Sequence, residues 1–143
     1  MDYKLELVLI PVSDVDRAKK FYLEEAGFTL IADTPIGEGQ RVVQVNPPGS
    51  ECSIGFGTGI TSAAPGAAQG LHLVVSDILA ARAELIGRGV AVSAVRHLDS
   101  GTWVEGPHPE RADYQSFADF KDPDGNIWIL QEVHWGQASH EPR

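Results

Sequence analysis

Apolar residues along this chain fall into short runs with strand-like spacing, and twice the spacing changes to that of a helix. The first run, Leu5-Glu6-Leu7-Val8-Leu9-Ile10-Pro11-Val12, reads as a largely buried strand. Asp14 follows as a helix N-cap, after which Val15, Ala18 and Tyr22 recur at helical spacing with Phe21 beside them. Asp16 and Lys20 form a favourable i,i+4 pair, and Gly27 suits the left-handed position that stops a helix. Three strand candidates come next, over 28–32, 41–45 and 52–56, separated by Pro35-Ile36-Gly37-Glu38-Gly39 and Asn46-Pro47-Pro48-Gly49. The predicted order is βαβββ.

Residues 58–69 are mostly Gly, Ala, Thr, Ser and Pro and read as a connector. Beyond it the pattern starts again. Gly70-Leu71-His72-Leu73-Val74-Val75-Ser76-Asp77 repeats the step from strand to cap, and Val75-Ser76-Asp77 matches Val12-Ser13-Asp14 letter for letter. Ile78, Ala81 and Leu85 form the second helical stripe, and Gly87 and Gly89 end it. Strands are expected over 90–95, 102–104 and 115–120. Asp122-Pro123-Asp124-Gly125 is then a reverse turn leading into the buried strand Ile127-Trp128-Ile129-Leu130. This is an internal repeat of one supersecondary unit. The expected class is α+β: two tandem βαβββ modules forming a cup-shaped mixed sheet with helices on the outside. One domain over 1–143 is expected, with module 1 at 5–57, the connector at 58–69, module 2 at 70–134 and a frayed tail at 135–143.

With 43% hydrophobic and 22% charged residues, the composition is that of a soluble globular chain, and no run is long enough to span a bilayer. The start lacks the basic and apolar segments of a secretory signal, so a cytoplasmic location is expected. Twenty acidic against 11 basic residues give a net charge of -9, which disfavours nucleic acid and anionic membrane as partners. The single cysteine, Cys52, leaves no internal disulfide framework and reads as an inert thiol in a strand.

In this order and spacing, three segments resemble the vicinal oxygen chelate superfamily of glyoxalase I, bleomycin-resistance proteins and extradiol dioxygenases. They are residues 11–22, the repeat at Val75-Ser76-Asp77, and Phe120-Lys121-Asp122-Pro123-Asp124-Gly125-Asn126. The resemblance spans 5–133 and implies a cup that holds a small molecule, often in a homodimer. Metal-using members place His, Glu or Gln on the first strand of each module and Glu on the last. By the same resemblance those places fall on Leu7, Gly70 and Ile129, none of which ligates a cation, so no metal and no cofactor is expected. A small, largely apolar ligand is expected instead. The alternative is a metal-dependent lyase or dioxygenase using an atypical site around His72 and Gln131, which lie two residues beyond Gly70 and Ile129 and project from the same face.

His72 suits a general base or a hydrogen-bonding anchor in an apolar cup, or else a histidine satisfied by a neighbouring strand or by Gln131. Leu7, Leu9, Ile129 and Gln131 are expected to line the site, with Glu132 as an outer-face or interface charge. The loop 98–114 is long for a plain connection and fits a lid or a ligand-binding segment. Its Trp103, His108 and Tyr114 offer flat surface and hydrogen bonds to a ligand, or anchor the loop, the reading favoured for Tyr114. His97 and His134 are taken as structural. Gly-x-Ser-x-Gly, His-Glu-x-x-His and Gly-Lys-Ser/Thr motifs are absent from the sequence. Whether the chain turns its ligand over or only binds it is open at this level.

Overall fold

The computed structural model describes residues 1–134; the tail expected at 135–143 lies outside the described residues. The chain divides into two compact units, residues 1–69 with 122–126, and residues 70–121 with 127 onwards. The fold class is α+β, and each unit has its own mixed sheet.

In the first unit β1 (Leu7–Leu9) leads to α1 (Val15–Lys20). The Asp14 side chain accepts from the Arg17 N–H at 3.0 Å, which caps the helix as its sequence demands. The helix does not stop at α1 but widens into a π-helical turn over Phe21–Glu25, and Gly27 then leaves it at a φ of 78°. Strands β2 (Thr29–Gly37), β3 (Gln40–Asn46) and β4 (Ser53–Gly57) follow. The sheet order is β1-β4-β3-β2, with β1 parallel to β4 and the other pairs antiparallel. Pro35, expected in a turn, instead lies within edge strand β2, where a missing N–H is tolerated. Period-two alternation puts Val43, Val45, Ile54 and Phe56 on the core face, against Tyr22 and its neighbours Phe21 and Phe28. The opposite face carries Leu7, Leu9, Gln44, Ser53 and Gly55, as the register Leu7↔Ser53, Leu9↔Gly55 and Gln44↔Gly55 requires.

The turn 122–126 belongs to this unit and is one of its best-satisfied parts. Asp122 is buried; Oδ1 accepts from the Asp124 and Asn126 N–H groups, both at 2.9 Å, and Oδ2 from the Tyr22 hydroxyl and Asn126 Nδ2, both at 2.7 Å. Asn126 Nδ2 also donates to the Pro11 carbonyl at 2.8 Å, and Asp124 accepts from the Ser13 hydroxyl and the Arg17 guanidinium. The connector is fixed too, because Ala68 N–H donates to Asn126 Oδ1 at 3.0 Å.

The second unit repeats the plan. β5 (Leu71–Val75) leads to α2 (Ile78–Gly87), capped by Asp77, whose side chain accepts from Ala80 N–H at 3.2 Å. Then come β6 (Arg96–Asp99), β7 (Thr102–Glu105), β8 (Phe117–Lys121) and β9 (Ile127–Glu132). The order is β5-β9-β8-β6-β7, with β5 parallel to β9. It is the first unit's order with one further edge strand, β7. The strand expected over 90–95 is reduced to a single bridge, Val92 to Phe120. Arg82 from α2 donates to the Ser93 and Val92 carbonyls, at 2.7 and 3.5 Å, so a side chain occupies acceptors that a ladder would use. Trp128 and Leu130 face the core with Ile78, and Trp128 stacks on Phe120 at 6.1 Å.

Candidate functional site

Each sheet has a face turned away from its core, and these open faces hold most of the residues that the sequence nominates. On the second sheet the register joins His72 to Ile129, Ile129 to Asp119, Gln131 to Phe117, Phe117 to Arg96, and Leu98 to Trp103. Opposed residues share a face, so His72, Ile129, Gln131, Phe117, Asp119, Arg96 and Trp103 lie on one side. A Cβ placed on Gly70 would sit 3.9 Å from Ile129 Cδ1 and 4.0 Å from His72 Cε1, so these three converge. Leu7 and Leu9 lie on the open face of the first sheet, where a Cβ on Gly55 would come within 3.1 Å of each.

His72 is exposed, and its Nδ1 lies 2.7 Å from the Gly70 carbonyl oxygen. A carbonyl only accepts, so Nδ1 donates, and in the neutral ring Nε2 is the basic nitrogen. Trp103 is 51% exposed, the most open aromatic side chain among the described residues of this unit. Its ring is held in place: Arg96 lies over it at 5.1 Å and Phe117 meets it edge-on at 5.7 Å. Arg96 is in turn held by Asp119 at 3.0 Å and by Ser93 Oγ at 3.2 Å. Beside Trp103 is a hollow of about 350 Å³ lined by Ser93, Val95, Arg96, Val104 and Glu105. It does not include His72, so the aromatic and imidazole features occupy different parts of the face.

The structure gives other nominated residues different tasks. Gln131 projects from the open face but is only 8% exposed, and its Nε2 donates to the Tyr114 carbonyl at 3.4 Å. His108 Nδ1 accepts from the Glu110 and Ala112 N–H groups, at 3.2 and 3.3 Å, and so organises its own turn. His97 is buried, donates from Nδ1 to the Gly106 carbonyl at 2.7 Å, and meets His108 edge-on at 6.0 Å. Glu132, expected as an outer-face or interface charge, is instead 0% exposed. It accepts from Ile78 N–H at 2.9 Å and from Arg111, and Arg111 also reaches Asp77 at 3.2 Å. Burial alone would raise the Glu132 carboxyl, but the Arg111 guanidinium and the Ile78 N–H together hold it below its ordinary value. His134 donates from its ring to Asp113 at 2.7 Å, in contact range of this cluster.

These bonds pin residues 106–114, the later part of the loop 98–114 that reads in the sequence as a lid or a ligand-binding segment. Tyr114 N–H donates to the Glu132 carbonyl, Glu132 N–H to the Ser116 carbonyl, and His108 N–H to Ser116 Oγ. Arg111 and Tyr114 sit at positive φ, 52° and 68°, and the bonds on both sides hold them there. The signal missed in the sequence was Arg111, a single cation placed to meet a buried acid.

A family model for the Glyoxalase/Bleomycin resistance protein/Dioxygenase superfamily matches residues 4–130. The chain belongs to this superfamily. Among solved structures, this superfamily member is similar to TnmS3, an antibiotic binding protein from Streptomyces sp. CB03234. The two are 36% identical, 92% of this chain and 96% of that one are covered, and the TM-score is 0.71. A glyoxalase/bleomycin resistance protein from the same Streptomyces is 37% identical, with 90% and 99% covered and a TM-score of 0.69. The uncharacterized protein YetH of Bacillus subtilis (strain 168) is 26% identical over 127 residues, covering 87% of this chain and 94% of that one.

Leu7, Gly70 and Ile129, to which the resemblance assigns the metal-ligand positions, offer no side-chain donor atom. Among the described residues no three His, Cys, Asp or Glu side chains come together in a set that could hold a metal ion. None of Leu7, Gly70 and Ile129 fits a resident divalent cation.

Proposed function

We propose that this superfamily member is a binding protein for a small, largely apolar organic molecule bearing a flat aromatic ring, held on the open face of the second sheet without a metal. The observation that carries this reading is Trp103. It is an exposed indole fixed by Arg96 and Phe117 beside a hollow, on a face whose ligand positions have no donor atoms. Holding an aromatic platform in one orientation lowers the ordering cost of stacking on it. The antibiotic-binding Streptomyces protein supports the same class at 36% identity. The net charge of -9 favours ligands that carry a positive group.

Calorimetric titration with 2-naphthol and 9-aminoacridine as flat probes is expected to give saturable binding, weakened about tenfold in Trp103→Ala. No saturable binding of either probe, or a Trp103→Ala protein that binds as well, would remove the reading.

A second reading, an enzyme using His72 as acid–base group, is favoured by the orientation of its ring, with Nδ1–H on Gly70 and Nε2 basic. If it holds, His72→Ala loses turnover more than affinity; under the binding reading no product forms at all. Methylglyoxal with glutathione is expected to remain unconverted.

A further inference from the structure

The open face of the second sheet carries two carboxylates near Trp103, and they are not alike. Asp119 accepts from Arg96 at 3.0 Å, and the same guanidinium donates to Ser93 Oγ at 3.2 Å and lies over the indole. Glu105 stands opposite Arg96 in the β6–β7 register and two residues beyond Trp103 on β7, so it shares their face. It is exposed, and among the described residues no side-chain hydrogen bond or ion pair engages it. Lys121, on the same face, lies four residues along β8 from Phe117, the residue opposite Arg96, a separation of about 13 Å. Around the indole the Arg96 charge is matched by Asp119, and Glu105 holds the excess.

Glu105 also lines the hollow of about 350 Å³ beside Trp103, and it borders a second of about 250 Å³ together with Leu79, Arg82 and Pro107. Arg82 is the cation of that second hollow, and its guanidinium is given to the Ser93 and Val92 carbonyls. Residues two apart on a strand are separated by about 7 Å. A ring stacked on Trp103 therefore brings a substituent at its rim within reach of the Glu105 carboxylate.

We infer that Glu105 is a cation-reading subsite of the Trp103 site, selecting ligands whose flat ring carries a protonated nitrogen. This rests on the binding function proposed above and names what the ligand must carry. An ion pair this open to water adds little to affinity, but it decides between rings that otherwise stack alike, by about fivefold.

The test compares acridine with 9-aminoacridine by calorimetric titration in mildly alkaline buffer, where the first is neutral and the second a cation. Both present the same flat body, so stacking on Trp103 is common to them. Wild type is expected to prefer the cation about fivefold, a preference that added salt erodes, and Glu105→Gln to bring the two affinities together by weakening 9-aminoacridine alone. Glu84→Gln removes the same charge from the exposed side of α2 and is expected to keep the preference. Equal affinity for the two in wild type overturns the inference while the binding function stands, and this comparison needs no variant. A preference that survives in Glu105→Gln, one indifferent to salt, or one lost equally in Glu84→Gln also overturns it, as does a Glu105→Gln protein that binds both probes equally less well. Binding of neither probe removes the function and the subsite together.

Discussion

Complete burial strips the Glu132 carboxylate of water, and what replaces that water is Arg111 and the first N–H of α2. A charge buried without its partner costs several kcal/mol, whereas a buried pair replaced by apolar side chains can be close to neutral. Arg111→Ala is accordingly expected to cost about 3 kcal/mol in urea denaturation, and the double change Arg111→Met with Glu132→Met to cost less. The carboxyl is held below its ordinary 4.5, so its contribution is complete above that value and disappears as pH falls through the lower folded one. The stability gap between wild type and Glu132→Gln should therefore stay constant from neutrality down to about 4.5 and narrow as pH is lowered further. Alternation along β9 shows in the sequence that Gln131 and Glu132 face opposite ways. It does not show which side is covered, because that depends on Arg111, distant in sequence, and no local pattern links the two.

At the scale of elements, caps and turns are written in the sequence because their chemistry is local. Asp14 and Asp77 cap their helices as their positions predict, and Gly27 closes the first at positive φ. Strand 90–95 is lost for a non-local reason, the Arg82 side chain on its carbonyls. The turn at 122–126 shows both cases. Asp-Pro-Asp-Gly predicts a turn correctly, yet the burial of Asp122 under Tyr22 is invisible without the fold. Tyr22→Phe removes the hydroxyl that donates to this buried carboxylate. It is expected to lower unfolding free energy by about 2 kcal/mol, measured by chemical denaturation, with the secondary structure unchanged by circular dichroism.

For the whole molecule, the repeat legible in Val12-Ser13-Asp14 and Val75-Ser76-Asp77 corresponds to two sheets built on one plan, a parallel first and last strand with antiparallel partners. No helix among the described residues is long and apolar enough to cross a membrane. Edge strands keep apolar side chains exposed, Leu9 on β1 and Leu30, Ile31 and Ile36 on β2, which supports the dimer that the resemblance implies. Light scattering after gel filtration is expected to give twice 15.4 kDa; a mass of one chain at micromolar concentration would contradict it.

Tandem duplication usually suggests that either copy could be excised and studied alone. The ownership of 122–126 argues otherwise. A fragment stopped at Gln69 would be missing five residues that its own interior requires, leaving the Tyr22 hydroxyl, the Pro11 carbonyl and the Ala68 amide without the bonds that Asp122 and Asn126 make to them. A truncation between the copies therefore damages the earlier one from a distance, and the halves are better regarded as inseparable products of one gene.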